Sequence, residues 1–232
     1  MSNETIYKIK QPLANFLLRQ RVHNPDFTLV SVNCWGSTIY RELKRPYNTP
    51  FVGLFIPAAG YIKLLGDLKN YLAQELSFVS VSRFDFANAL RRKRNNYYPI
   101  GILGGDIEIH FLHYESESLA LEKWTARRMR MNMDNLFVQF SDEYECEQSH
   151  LLEFDRLDFP RKVAFTANPH PELKSAVWLS EYAGQPQIQN PFTERYVYRR
   201  HFDVADWLNG GTGAVTPAYR LLNRLLEVSI KG

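Results

Sequence analysis

Apolar residues follow two rhythms along this chain, short continuous runs and stripes at helical spacing, and their succession predicts an α/β fold. Ile6, Ile9, Leu13, Phe16 and Leu17 recur at helical spacing among Lys8, Lys10, Arg19 and Arg21, so the chain is expected to open with an amphipathic helix. Pro12 puts the helix start there or just before it. Packing on its own domain is the usual fate of such a helix; lying on a membrane surface is the alternative. Asn24-Pro25-Asp26 marks a turn, residues 27–33 read as a buried strand, and 37–44 as a helix. Pro46, Asn48 and Pro50 interrupt the chain before a second apolar run at 51–56. Tyr61, Leu64, Leu65, Leu68 and Leu72 then mark one face of a helix over 58–76. This β-α-β-α order points to parallel pairing with right-handed crossovers.

Residues 78–82 read as a further strand, followed by a strongly basic stretch that Pro99 ends. Residues 100–103 and 106–114 flank Gly104-Gly105 and predict a hairpin or two neighbouring strands. A helix over 116–131 has Ser116 or Ser118 as cap, with Glu115 and Glu117 near its positive end. Strand 135–141, helix 147–157 and strand 162–167 come next, then the Asn168-Pro169-His170-Pro171 loop, a strand within 176–182 and an irregular stretch over 184–193. Thr216 and Pro217 announce a last helix carrying Leu221, Leu222 and Leu225. The expected architecture is α/β: a mostly parallel sheet with flanking helices in three layers and a less regular C-terminal part. Residues 1–232 are expected to form one domain, with 168–232 as a candidate subdomain.

Composition narrows the classes. Forty-five per cent hydrophobic residues are ordinary for a soluble protein, and a net charge of +3 is too small to argue for nucleic acid. Cys34 and Cys146 have no zinc or disulfide spacing, which suits a reducing cytoplasm. No apolar run is long enough to span a membrane and no signal peptide is apparent, so only peripheral membrane contact is expected. Aromatic residues make up 14% of the chain, a content that suits stacking of sugars or bases. Oligomeric state is not readable.

The first candidate for chemistry is the turn Asn33-Cys34-Trp35-Gly36-Ser37, between strand and helix, where free backbone N–H groups favour anions. It is neither GxGxxG nor GxxxxGK[ST], so no nucleotide cofactor is implied. Cys34 is either a nucleophile activated by the helix and a base such as His113, or a small buried residue. His110 and His113 fall on opposite faces of a strand and cannot share a metal; His113, at the strand end, is the better catalytic or binding candidate. Trp124, Arg127 and Arg130 lie along one side of their helix and could stack a ring and grip a phosphate, or form a solvated basic face over a buried Trp. Arg91, Arg92, Lys93 and Arg94 are either an electrostatic lip or an exposed loop. No metal site is expected: there is no Asp-x-Asp, and Asp106-Ile107-Glu108 precedes its apolar run rather than following it.

Asn33-Cys34-Trp35-Gly36, Tyr40-Arg41, the 51–56 strand with its helix through Tyr71-Leu72, His113-Tyr114, the Trp124 to Asn132 segment and Asn135 together resemble the DUF1919 family. The most specific piece is the HY pair followed by WxxRxxRxN, and the resemblance covers about residues 29–166. Ser37 replaces a second Gly, and Thr49-Pro50 stands where a Ser-Pro-Thr-like stretch is usual. The family has no assigned activity and is often described as exopolysaccharide or capsule biosynthesis proteins. The resemblance implies an α/β fold and a cell-surface glycan context, with no established catalytic residues.

The leading expectation is therefore a cytoplasmic protein of exopolysaccharide, capsule or lipooligosaccharide biosynthesis, sited at most at the inner face of the membrane. It would be a transferase for an anionic sugar donor, small or lipid-linked. His113 would be the acid or base, with Cys34 beside it. Asn33, Trp35, Gly36, Ser37, Tyr114, Trp124, Arg127, Arg130 and Asn132 would bind substrate. The alternatives are a non-catalytic protein that binds or assembles glycan intermediates, and a Cys34-dependent hydrolase.

Overall fold

A computed structural model describes residues 3–94, 97–188 and 197–226, with backbone alone for 3–9 and Arg94. In chain order the elements are α1 (Asn3–Arg21), β1 (Thr28–Ser31), α2 (Trp35–Leu43), α3 (Ala58–Gly66), α4 (Leu68–Ala73), β2 (Leu76–Val79), α5 (Asp85–Arg94), β3 (Ile100–Leu103) and β4 (Ile107–His110). Then come α6 (Glu117–Arg128), β5 (Leu136–Ser141), α7 (Gln148–Arg156), β6 (Lys162–Thr166), β7 (Ala176–Trp178), α8 (Val204–Leu208) and α9 (Pro217–Leu226), with 3-10 turns at Ser180–Tyr182 and Val197–Arg200.

Four strands form a parallel sheet in the order β1-β5-β6-β7, as the alternation of elements predicts. Successive residues point to opposite faces of a strand. Phe27, Leu29, Phe137 and Phe165 therefore pack under α1, α2 and α8 with Leu18, Ile39 and Trp207, while Val30, Val138 and Phe140 pack under α3 and α7 with Tyr61, Leu151 and Phe154. Each such side chain, fully buried, stabilises the fold by roughly 1.5–3 kcal/mol before its ordering cost. The Tyr61 hydroxyl sits between β1 and β5, 2.8 Å from the Gln139 carbonyl and 3.1 Å from that of Val30.

The remaining strands form an antiparallel sheet, β2-β3-β4, closed by the expected Gly104-Gly105 turn. This corrects the parallel pairing inferred for 51–56, and the strand expected at 78–82 lies at Leu76–Val79, antiparallel to β3. Within 51–56 only Phe55 pairs, antiparallel to His110, while the Ile56 N–H reaches the Val32 carbonyl at 3.1 Å. The segment is thus a seam between the two sheets, which explains its wholly apolar character without a strand. The helix expected over 58–76 breaks at Asp67 into α3 and α4.

α1 runs through Pro12, whose ring is exposed, instead of starting at it. Ala14 and Leu18 bury one face of α1, while Leu13 and Phe16 stay about half exposed. The side chains of Ile6, Lys8 and Ile9, and the end of the stretch expected to be irregular at 184–193, lie outside the described residues. Among the described residues no helix is long and apolar enough to cross a membrane.

Candidate functional site

The 33–37 turn is built from side chains that fold back on it. Asn33 Oδ1 accepts from the Trp35 N–H at 2.9 Å and Ser31 Oγ from the Gly36 N–H at 3.2 Å, so two of the donors at the start of α2 are already occupied. A Cβ on Gly36 would lie 2.8 Å from Ser31 Cβ; the glycine lets α2 approach β1 and does not open a path for a ligand. Trp35 packs edge-on against Phe165 and Tyr198, and Ser37 Oγ donates to the Cys34 carbonyl. The turn therefore offers a ligand fewer backbone donors than its sequence suggests.

Cys34 is buried, its thiol 3.8 Å from the Leu54 carbonyl. Burial pushes its pKa up to about 12 against the opposing pull of Arg41, so the sulfur is a protonated thiol at neutral pH. The Cys34-dependent hydrolase reading is left without an activated nucleophile.

Cys34, Thr38 and Arg41 are spaced along one face of α2 at helical intervals, away from the core-facing Trp35, Ile39 and Leu43. Arg41 on this face is exposed, and its guanidinium acts on both Cys34 and His113. His113 lies in the turn after β4, where its N–H donates to the Gly53 carbonyl at 3.1 Å. Gly53 has φ +69°, and a Cβ there would stand 3.2 Å from His113 Cβ, so a glycine is needed to seat the histidine. Partial burial and then the Arg41 charge hold the His113 pKa below its ordinary value, giving a neutral imidazole at pH 7.

Tyr114 continues this wall. Its hydroxyl donates to the Val52 carbonyl at 2.8 Å and accepts from Arg127 Nη1 at 2.6 Å. The Arg127 guanidinium also lies over the Tyr47 ring, 5.0 Å from its centroid. It is thus held by a hydroxyl and a ring. Among the described residues neither Arg41 nor Arg127 has a carboxylate partner.

The structure separates the other members of the 124–132 segment. Trp124 is 1% exposed, packed against Phe51 and Phe111, so it supports the site from the core and cannot stack a ligand. α6 ends at Arg128, and beyond it the helical spacing no longer holds. Arg130 is exposed and bonds its own helix at the Ala126 carbonyl. Asn132 closes a turn at the amino end of β1, its N–H on Thr28 Oγ1 at 2.8 Å and its amide on Asp26 Oδ2 at 2.9 Å. These two do not join His113.

Arg91 is no electrostatic lip: it is buried on α5, donating to the carbonyls of Ser80 and Tyr98. His110 is sealed in the core, stacked on Phe55 at 4.2 Å and facing Glu108.

Two residues with charge at this site escaped sequence reasoning. Arg41 could have been found from its α2 spacing relative to Cys34. Glu143 follows the apolar run of β5 directly, in Ser141-Asp142-Glu143, a carboxylate position that an Asp-x-Asp search passes over. Its Oε2 accepts from Asn33 Nδ2 at 2.7 Å and from Ser141 Oγ at 2.5 Å. Burial raises its pKa to about 7; the two hydrogen bonds lower it and neighbouring Asp142 adds to the rise. Among the described residues no three His, Cys, Asp or Glu side chains gather as a metal set.

An open parallel sheet, with the Arg41 charge acting on His113 and Arg127 held by Tyr114 and Tyr47, defines the general class. The model of the DUF1919 family, a domain of unknown function, matches residues 5–209, a longer stretch than the 29–166 over which the motifs resemble it. An uncharacterised protein of Haemophilus influenzae (strain ATCC 51907 / DSM 11121 / KW20 / Rd) is 35% identical over 199 residues, covering 84% of this chain and 90% of that protein. The chain belongs to the DUF1919 family.

Proposed function

We propose that this protein acts in the biosynthesis of a bacterial surface polysaccharide, as exopolysaccharide, capsule and lipooligosaccharide pathways require, by transferring sugar from an anionic donor. The donor carries a phosphate, nucleotide-linked or lipid-linked. One observation supports this above the others: Arg41 and Arg127, without carboxylate partners among the described residues, flank neutral His113 and the Tyr114 hydroxyl. Arginine presents a planar fork suited to phosphate oxygens, and a fork already held by Tyr114 and Tyr47 loses less freedom on binding. In this reading Arg127 and Arg41 hold the phosphate, His113 exchanges a proton with it, half-buried Tyr47 offers apolar surface to the rest of the donor, and buried Tyr114 holds Arg127 in place. The family resemblance supplies the glycan context.

The test is a thermal-shift screen of the wild type and Arg127→Ala against UDP-glucose, UDP-N-acetylglucosamine, GDP-mannose, CMP-N-acetylneuraminate, undecaprenyl phosphate and inorganic phosphate. Stabilisation of the wild type by at least one donor, lost in Arg127→Ala, is expected. No stabilisation by any of them refutes the reading.

A further inference from the structure

β1 and β5 are parallel neighbours whose chains leave in opposite directions. After β1 the chain enters α2, on the face with Leu29 and Phe137; after β5 it enters α7, on the face with Val30 and Phe140. A crevice at the carboxyl ends of two such strands is where open α/β sheets bind ligands. Glu143 stands there. It is 5% exposed, and both of its hydrogen bonds fall on Oε2, one from Asn33 at the end of β1 and one from Ser141 at the end of β5. Oε1 accepts from no described residue and keeps a trace of accessible surface. The fold thus fixes one carboxylate oxygen with two donors and leaves the other without a protein donor, so that it can take a proton from a bound group. Asn33, which holds Glu143, directly precedes Cys34, and Cys34 interacts with the charges of Glu143 and Arg41 and with Tyr114, so the carboxyl lies on the side of the proposed donor site.

We propose that Glu143 is the catalytic proton acceptor of this protein, an assignment that rests on the transferase reading above. The acceptor hydroxyl, of a sugar or of water, forms its bond to the anomeric carbon of the donor while its proton passes to Oε1 of Glu143. The anomeric carbon–oxygen bond breaks, and its electron pair leaves with the phosphate, whose charge Arg41 and Arg127 receive. Asn33 and Ser141 are positioning residues that turn Oε1 outward. A carboxyl whose pKa lies near the operating pH both takes the proton and returns it to solvent after product release. The other titratable groups facing it are Asp142 on its own strand end, which raises its proton affinity, and the protonated thiol of Cys34 from the α2 turn.

The experiment uses the full chain with the four nucleotide sugars of that panel and two readouts, thermal stabilisation and release of nucleotide over time. Glu143→Gln should be stabilised by the donor as the wild type is, while release falls by about a hundredfold or more. Ser141→Ala, which removes a bond that positions and favours the carboxylate, should lower release at neutral pH and move its pH profile to higher pH, a shift that a merely structural loss would not produce. Release by Glu143→Gln at the wild-type rate overturns the assignment, as does a wild type that binds a donor and never cleaves it. A wild type that binds no donor refutes the transferase reading itself and the proton transfer with it.

Discussion

Replacing Glu143 by Gln should make the protein more stable, and increasingly so as pH rises. The carboxyl is pushed from 4.5 to about 7, chiefly by burial. Below about pH 4.5 it is protonated in both folded and unfolded chains and contributes nothing to the pH dependence. Between 4.5 and 7 the unfolded chain ionises while the folded one stays protonated, so stability drains away until the folded group ionises as well. A shift of about 2.5 pH units at 1.36 kcal/mol each makes the full loss roughly 3 kcal/mol, reached above pH 7. Glutamine ionises in neither state, and its amide oxygen can still accept from Asn33 and Ser141. The stability difference between variant and wild type should therefore grow by up to roughly 3 kcal/mol between pH 5 and pH 8. The raised pKa of Asp142 is common to both proteins and largely cancels. Urea denaturation at the two pH values reads this directly. A difference that does not change with pH would refute the buried-carboxyl argument. A residue whose removal stabilises the fold while abolishing turnover is one retained for function.

The other predictions concern how the recess is supported. Gly36→Ala should cost about 1–3 kcal/mol in urea denaturation, because the new methyl meets Ser31 Cβ at 2.8 Å; no loss would mean that α2 can back away freely. Arg199→Ala should destabilise by about 3–5 kcal/mol, since it strands buried Glu42, whose Oε2 lies 2.7 Å from Arg199 Nη2; a loss below about 1 kcal/mol would contradict the buried pairing. Cys34→Ala should leave donor binding unchanged by calorimetry, and loss of binding would restore the sulfur to the site.

Much of this architecture is legible in the sequence where one local force decides. The β1, β5 and β6 strands are buried on both faces and read as β-branched or apolar runs. The last helix is announced by a cap that forms as expected, Thr216 Oγ1 accepting from the Tyr219 N–H at 3.1 Å. The 51–56 run misleads because burial alone makes it apolar: Pro50 and the left-handed Gly53 turn the backbone, leaving Phe55 as its single bridge. WxxRxxRxN misleads for a similar reason. It is continuous in sequence, yet α6 stops at Arg128, so one motif supplies a core residue, a site residue, a surface residue and a turn. Arg41 and Glu143 were hidden because their partners come from other elements. Nothing local in α2 says that its Cys34-Thr38-Arg41 face meets the turn after β4. Nothing in Ser141-Asp142-Glu143 says that Asn33 reaches it.

The central claim is that Arg41 and Arg127 together receive the phosphate of a sugar donor. Isothermal titration of the donor that most stabilises the wild type, repeated on Arg41→Ala and Arg127→Ala, tests it most directly. Each lost charged hydrogen bond is worth about 1.5–3 kcal/mol, so either variant should bind roughly tenfold to a hundredfold more weakly. Binding of wild-type strength in both variants would contradict the account.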